Sequence, residues 1–462
     1  MTVPLASLDN ACFQGVLPAI LSTCSKDGEP NVTYLSQVHY VDERHVALTR
    51  QFFNKTTRNV EENPYASVEL CHPVSFEAYR LDLRFQRTET KGLLFDTLAM
   101  RIDAIASVIG MAGVFKLIGA DVYEVLDVQV VKDLLRPAPH RAPRTLPPVN
   151  YRSELRALQV VSDRLNRADD LEGLFASLLA AMRDELGFEH AMVLLPDESG
   201  EKLFTVASIG YGDSGVGAEV TIGQGIVGTV AQQRKILRMS AVDEALRYGR
   251  AIRTEAHTHG TSPATPEIPL PGLPDVESHL ALPLVLRDKL VGVLAVESKN
   301  PLQFADWHEA FLNIIANQTA VAIERMLEDE DEGEQEPTPS QIAMHQRACS
   351  APPKPRSFKF YRGDDSIFVD GEYLIRNVPG RILWRLLKSY VDEKRAEFTN
   401  RELRLDPFLG LPAIKDNLES RLILLRKRLE QKCPEVRIPS CGRGHFRLEL
   451  DCPIELIEKT AP

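Results

Sequence analysis

Five residues with phosphate-binding chemistry crowd together near the N-terminus. In "TRQFFNKTTRNVEENPYASVEL", Arg50, Asn54, Lys55, Thr56 and Thr57 follow a strand-like run. A guanidinium and an ammonium supply charge, and hydroxyl and amide groups supply short donors, which together suit a phosphate group. No acid–base pair or activated nucleophile stands beside them, so no catalytic residue is assigned. A second set lies near the C-terminus: Lys415, Asn417, Ser420, Arg421, Arg426 and Arg428 in a helical run, then Arg443 and His445 between and after Gly442 and Gly444. Cations bind a nucleic-acid backbone, and amide and hydroxyl groups read base edges. Ile423 and Leu424 interrupt that face, and Asp416 and Glu419 put negative charge at its start, so a protein contact is the competing reading. His257 and His259, two apart, could ligate a metal or haem, and His279 sits at the following strand; loop histidines are usually solvated, and no metal site is assigned.

These groups need elements to hold them. A chain of 462 residues exceeds one core and predicts about three domains. Its charge is uneven: Phe358–Pro462 has 20 basic and 17 acidic residues, the rest 34 and 48. The net charge of -11 excludes a uniformly nucleic-acid-coated protein but not one basic module. Seven scattered cysteines without a CxxC predict reduced thiols. No signal peptide or membrane span is read, so a cytoplasmic protein is expected.

Two segments read as linkers: 132–150, with five prolines, and 328–357, acidic and then proline-rich. They leave blocks 1–131, 151–327 and 358–455. In the first, "QGVLPAILSTCS", "NVTYLSQVHYV" and "HVALTRQFF" read as strands joined by turns at "KDGEP" and "DER", and "FDTLAMRIDAIASVIGMAG" as a helix. In the second, Leu155, Leu158, Val161 and Leu165 form one apolar helical stripe. Asp169 or Asp170 caps the next helix, and 247–277 reads as a long loop. In the third, Ile382, Leu383, Leu386 and Leu387 face inward, and Thr399 with Glu402 has capping-box spacing. Leu418, Leu422, Leu425 and Leu429 make the inner face of a longer helix, and "VRIPSCGRGHFRLEL" closes as a hairpin.

The first block resembles the FMN-binding split barrel of the pyridoxamine 5'-phosphate oxidase-like superfamily, through the turn Asp27, Gly28, Pro30 and through "FNKT" and "RNVEENPYASV". The resemblance implies that Arg50, Lys55 and Thr56, with Asn54 or Thr57, hold a flavin phosphate at a dimer interface; haem or another flavin-like ligand is the variant. The substrate motif of the true oxidases is missing, which argues against vitamin B6 oxidation. The second block resembles a GAF domain, through "GQGIVG" and the strand–hairpin–strand–helix ending, which implies a dimerising module with an unidentified small-molecule ligand. Lys299 and Asn300 are reversed relative to the family's cyclic-nucleotide signature. No cysteine between 72 and 348 could carry a thioether-linked bilin. The third block resembles the winged helix-turn-helix of response regulators, through "LRKRLE" and "GRGHFRL".

The expected fold is therefore multidomain α+β: a split β-barrel, a GAF α/β sandwich and a C-terminal winged helix. The expected function is a ligand- or redox-responsive transcriptional regulator, homodimeric, binding FMN and double-stranded DNA. The alternative is a flavin-dependent oxidoreductase with regulatory GAF and winged-helix domains.

Overall fold

Alternating buried and exposed side chains run through the N-terminal strands, as period-two sequences require. The computed structural model describes residues 2–51, 55–131, 151–168, 170–197, 199–211, 218–258, 272–273, 275–332, 355–362, 365–375, 377–411, 418–442 and 444–459. Segment 132–150 and most of 328–357, both read as linkers, lie outside the described residues. The first module contains β1 (Ala19–Cys24), β2 (Pro30–Leu35), β3 (His39–Asp42), β4 (His45–Arg50), α1 (Lys55–Glu62), β5 (Tyr65–Cys71), β6 (Ala78–Glu89), α2 (Leu93–Val108) and β7 (Gly119–Val131). Its antiparallel sheet runs β2-β1-β5-β6-β7-β4-β3 around a core that includes Leu21, Leu48, Val60, Leu81 and Tyr123. Gly28, at φ +85°, makes the turn from β1 to β2 that a Cβ would strain.

Two expectations need correction here. "NVTYLSQVHYV" is two strands, β2 and β3, at opposite edges of the sheet. The stretch "NVEENP", expected only to lead away to the next strand, continues a helix that Lys55 opens: α1 runs through Glu62. That helix hides in the sequence because only Val60, with Thr57 and Asn59, faces the interior.

The central module contains α3 (Tyr151–Asn166), α4 (Leu171–Leu186), β8 (His190–Pro196), β9 (Lys202–Ile209), β10 (Glu219–Thr221), α5 (Gly225–Gln233), β11 (Leu237–Ser240), α6 (Val242–Thr258), β12 (Ser278–Leu286), β13 (Lys289–Ser298) and α7 (Asp306–Glu332). The sheet order is β10-β9-β8-β13-β12-β11. One face packs on α3, α4 and α7 through Phe175, Leu178, Leu294 and Ile315. Asp170 caps α4, accepting from Gly173 N at 2.8 Å. Val161 and Leu165 are buried as expected, but Leu155 is 68% exposed, so the α3 stripe is shorter than its spacing implies. Residues 247–258, read as loop, belong to α6.

The C-terminal module contains β14 (Arg356–Tyr361), β15 (Ser366–Val369), β16 (Glu372–Ile375), α8 (Asn377–Glu393), β17 (Glu397–Thr399), α9 (Asn400–Leu405), α10 (Leu418–Lys432), β18 (Val436–Arg437), β19 (Ser440–Gly442), β20 (His445–Arg447), β21 (Glu449–Leu450) and β22 (Ile454–Lys459). The sheets β16-β15-β14-β22 and β17-β20-β19 enclose α8, α9 and α10, with Ile382, Leu386, Leu422 and Leu429 in the core. Thr399 and Glu402 form the expected capping box at the start of α9.

The modules share cores. Helix α2 leaves the first module to pack on α5 and α6, and Ile102, Ile105 and Ile109 join one cluster with Met192, Val227 and Val293. Gly225 N donates to Ser107 Oγ at 2.8 Å, and Arg253 Nη1 donates to the carbonyl of Ile109 at 2.8 Å. Gly249 is required at that crossing, because a Cβ would sit 2.8 Å from Ile109 Cδ1. On the other face, α10 meets α4 and β9, and Ile423 enters the core of the central module.

Candidate functional site

The pairing of β4 with β7 sets the site. It brings Arg50 beside Gly119 and puts Asp121 opposite Leu48, so a carboxylate 71 residues away reaches the Arg50 side chain. Arg50 Nε donates to Asp121 Oδ2 at 2.9 Å and Nη2 to Thr88 Oγ1 at 3.1 Å, while Thr88 Oγ1 donates to Asp121 Oδ1 at 2.7 Å. The guanidinium is thus fixed by two strands before any ligand arrives. Its remaining arm, Nη1, lies 3.5 Å from the exposed Glu61.

Thr56 is held from the other side. Asn31 Nδ2 donates to Thr56 Oγ1 at 3.0 Å, and Asn31 and Asn59 both donate to Thr23 Oγ1. A hydroxyl that accepts from Asn31 keeps its own proton to donate. Thr56 and Thr57 stand in the first turn of α1, where backbone N–H groups favour an anion. Together with Leu21, Tyr34, Leu48, Tyr123 and Tyr248 these groups line a cavity of about 90 Å³. Lys55 is outside that lining, 2.8 Å from Glu29, and draws the Glu29 carboxyl below its ordinary pKa. Asn54 lies outside the described residues.

This geometry can be tested against FMN. Arg50, Thr56 and Thr57 fit a phosphate group, and the exposed Glu61 and Glu29 contacts are weak enough for a phosphate to displace them. The volume is far below the several hundred Å³ that enclose a drug-sized ligand. The isoalloxazine would therefore have to lie outside it, and the nearby exposed side chains are Val32 and Tyr34 on β2. The cavity fits the phosphate end of the cofactor alone.

A second polar centre lies in the central module, on the sheet face that meets α2, α5 and α6. Tyr211 Oη donates to Glu297 Oε2 at 3.0 Å, Leu273 N donates to the same oxygen at 2.8 Å, and His279 Nδ1 is 3.5 Å from Glu297 Oε1. Burial raises the Glu297 carboxyl to about 7 and lowers the His279 imidazole to about 4, so near neutrality His279 is uncharged while Glu297 stands at its midpoint. His279 is therefore an inner strand residue. His257 falls in the last turn of α6, and His259 lies outside the described residues. Among the described residues no group of three or more His, Cys, Asp or Glu could hold a metal ion.

Comparison with known proteins agrees with two of the three modules. Residues 10–118 match the family model "Pyridoxamine 5'-phosphate oxidase", and residues 170–323 match the GAF domain. The chain joins a pyridoxamine 5'-phosphate oxidase-like domain to a GAF domain. Neither match reaches the C-terminal module, and no curated protein matches the chain. Three solved structures are similar to parts of it. The GAF domain of an Acinetobacter phosphoenolpyruvate-protein phosphotransferase is 22% identical over 40% of this chain and 98% of its own, with a TM-score of 0.32. An FMN-binding protein from Syntrophomonas wolfei is 20% identical over 28% and 82%, with a TM-score of 0.22. The free methionine-R-sulfoxide reductase from Neisseria meningitidis is 15% identical over 39% and 94%, with a TM-score of 0.31. These are likenesses of single domains. No helix among the described residues is long and apolar enough to cross a membrane.

The residues expected to face DNA have a different placement from the one their spacing implies. Ser420 and Arg421 are buried, at 1% and 5% exposure, where α10 docks against the GAF domain. Arg426 Nε donates to the carbonyl of Ile438 at 2.7 Å, and its Nη1 donates to Glu172 of the GAF helix α4 at 3.1 Å. Arg428 Nη1 reaches Gln431 Oε1 at 3.5 Å, and His445 is half-buried on β20. Lys415, Asn417 and Arg443 lie outside the described residues. The apolar Ile423 explains the arrangement: it is 1% exposed within the GAF core, so that face of α10 meets protein. Two cavities, of about 350 and 320 Å³, flank the contact.

Two important residues had no sequence signal. Asp121 reaches Arg50 only through strand register, and Tyr248 reaches the barrel's cavity only because α6 docks on α2.

Proposed function

We propose that the protein is a homodimeric, cytoplasmic transcriptional regulator responsive to ligand or redox state. Its working parts are the blocks 1–131, 151–327 and 358–455. The barrel holds the phosphate of an FMN-like cofactor through Arg50, Thr56 and Thr57, with Lys55 and Asn54, their neighbours in sequence, as further donors. The GAF domain takes a small ligand. The C-terminal module binds double-stranded DNA. The observation that carries the reading is the element order of that last module, α8, β17, α9 and α10 followed by the β19–β20 hairpin, which we read as a winged helix. Lys415, Asn417, Ser420, Arg421, Arg426 and Arg428 on or before α10 in sequence, with Arg443 and His445 further along the chain, are its DNA-binding set in this reading.

In this reading the docked α10 is the silent state. Several of its polar side chains are turned to the GAF domain, so DNA binding requires the module to leave. The cavities beside the contact make that release feasible, because a contact flanked by voids gives up fewer packed atoms than a closed core. The test is fluorescence anisotropy of a labelled duplex against full-length protein at several salt concentrations. DNA binding through cations gives a log–log salt slope of about -0.9 per phosphate contact. A flat salt response at all concentrations, in wild type and in undocked variants alike, sinks the reading.

A further inference from the structure

The barrel's cavity is not built by the barrel alone. Tyr248 sits on α6, the GAF helix that packs against α2, and it lines the cavity with Arg50, Thr56, Thr57 and Asp121. Its ring meets Phe115 of the barrel edge-on, with centroids 6.5 Å apart. The adjacent residues lock α6 in place. Gly249 lies against Ile105 and Ile109, and Arg253, one turn on, donates to the carbonyl of Ile109. Tyr248 is 38% exposed although its helix neighbours Leu246 and Gly249 are closely packed, so the ring has an open side.

We propose that the phosphate site is shared between domains: the barrel supplies Arg50, Thr56 and Thr57, the GAF domain supplies Tyr248 as the facing wall, and a phosphate monoester in the cavity is gripped by both. This rests on the phosphate-binding reading of the cavity and adds its second wall. Tyr248 is a positioning residue. Its ring is the GAF domain's part of the lining, and its phenol adds a donor to those the barrel supplies. Because α6 packs on α2 at Gly249 and Arg253, an occupant that presses on Tyr248 loads a helix that meets the sheet face carrying Glu297 and His279. The coupling is reciprocal: a ligand that shifts α6 changes the affinity of the phosphate site by the same factor.

The experiment uses full-length protein and two probes, FMN and riboflavin, followed by flavin fluorescence, with inorganic phosphate as competitor. The variants are Arg50→Lys, which keeps the Asp121 partner, Tyr248→Phe and Tyr248→Ala, each checked for an unchanged thermal midpoint. The expected result is that FMN binds more tightly than riboflavin, that phosphate competes, and that Tyr248→Ala weakens FMN roughly three- to tenfold. Tyr248→Phe should retain the wall and lose only the phenol's share. Hydrogen exchange in α6 should slow when FMN is added to wild type and not to Tyr248→Ala. If Arg50→Lys weakens FMN while Tyr248→Ala changes neither affinity nor exchange, the shared wall is wrong and the barrel site survives. If wild type binds neither FMN nor phosphate, the site reading fails and the shared wall fails with it.

Discussion

Ile423→Ala is the sharpest perturbation of the docked state. The side chain belongs to the C-terminal module but is buried in the GAF core, so truncation weakens docking more than it weakens either fold. Burying an isoleucine contributes roughly 1.5–3 kcal/mol, and the alanine that remains keeps a small part of that. A loss of about 2 kcal/mol raises the undocked-to-docked ratio about thirtyfold. If DNA binds only the undocked form, apparent affinity rises by up to the same factor while that form stays minor. The Arg426–Glu172 pair adds little, because Glu172 is 43% exposed at its side chain. The assay is anisotropy of full-length wild type and Ile423→Ala on one labelled duplex, at matched salt, with scattering or exchange data to show that both remain folded. A thirtyfold gain with an unchanged salt slope is expected. Unchanged affinity in a demonstrably undocked variant would refute the reasoning, since α10 would then be no DNA-reading element. Weaker binding would refute it too, because docking would be assisting DNA binding.

Further outcomes follow from other sites. Glu297 has a folded pKa raised from 4.5 to about 7, so the folded state holds the proton more tightly than the unfolded chain. Its contribution is full below about pH 4.5 and is lost as pH rises through about 7, roughly 3 kcal/mol in all. Glu297→Gln should remove that part of the fall in thermal midpoint between pH 5 and 8. His279 has the opposite sign: its folded pKa is lowered from 6.5 to about 4, so stability is lost as pH falls through that window, and His279→Gln should flatten the acid limb. Thr399→Ala breaks the capping box of α9 and should cost about 1 kcal/mol, read as a lower denaturation midpoint at unchanged slope. Gly249→Ala places a methyl 2.8 Å from Ile109 Cδ1 and should loosen the α2–α6 crossing, seen as faster exchange in both helices.

Much of the fold was legible because its signals are local. The Thr399–Glu402 spacing, the Asp170 cap, and the inward leucines at 418, 422, 425 and 429 are each decided within a turn or two of helix. Helices α1 and α6 were not legible, for different reasons. Helix α1 is short and threonine-rich, and it buries Thr57 and Asn59 where a periodic reading looks for apolar residues. Helix α6 contains Gly249, ordinarily a helix-weakening residue, which is needed because another module's isoleucines cross there. The candidate site was half legible. Arg50, Thr56 and Thr57 are close in sequence and meet in one cavity, but Asp121 and Tyr248 arrive through strand register and domain docking. Ser420 and Arg421 illustrate the same limit. Their helix and its inner face could be read, but which protein surface covers the outer face is a property of another domain.

The strand pairing at the edge of the C-terminal module has a mechanical consequence. β14 and β22, the first and last strands of that module, lie side by side in parallel, with Arg356 against Ile454 and Tyr361 against Lys459. Tension entering at the start of β14 and resisted at the far end of β22 acts along the ladder, so all six residue pairs bear the load in shear and none peels alone. The docked face of α10, with one apolar anchor and a half-exposed ion pair, has no such arrangement. Letting go of the GAF domain therefore breaks none of the β14–β22 pairs, and the ladder that joins the two ends of the module is independent of the docking.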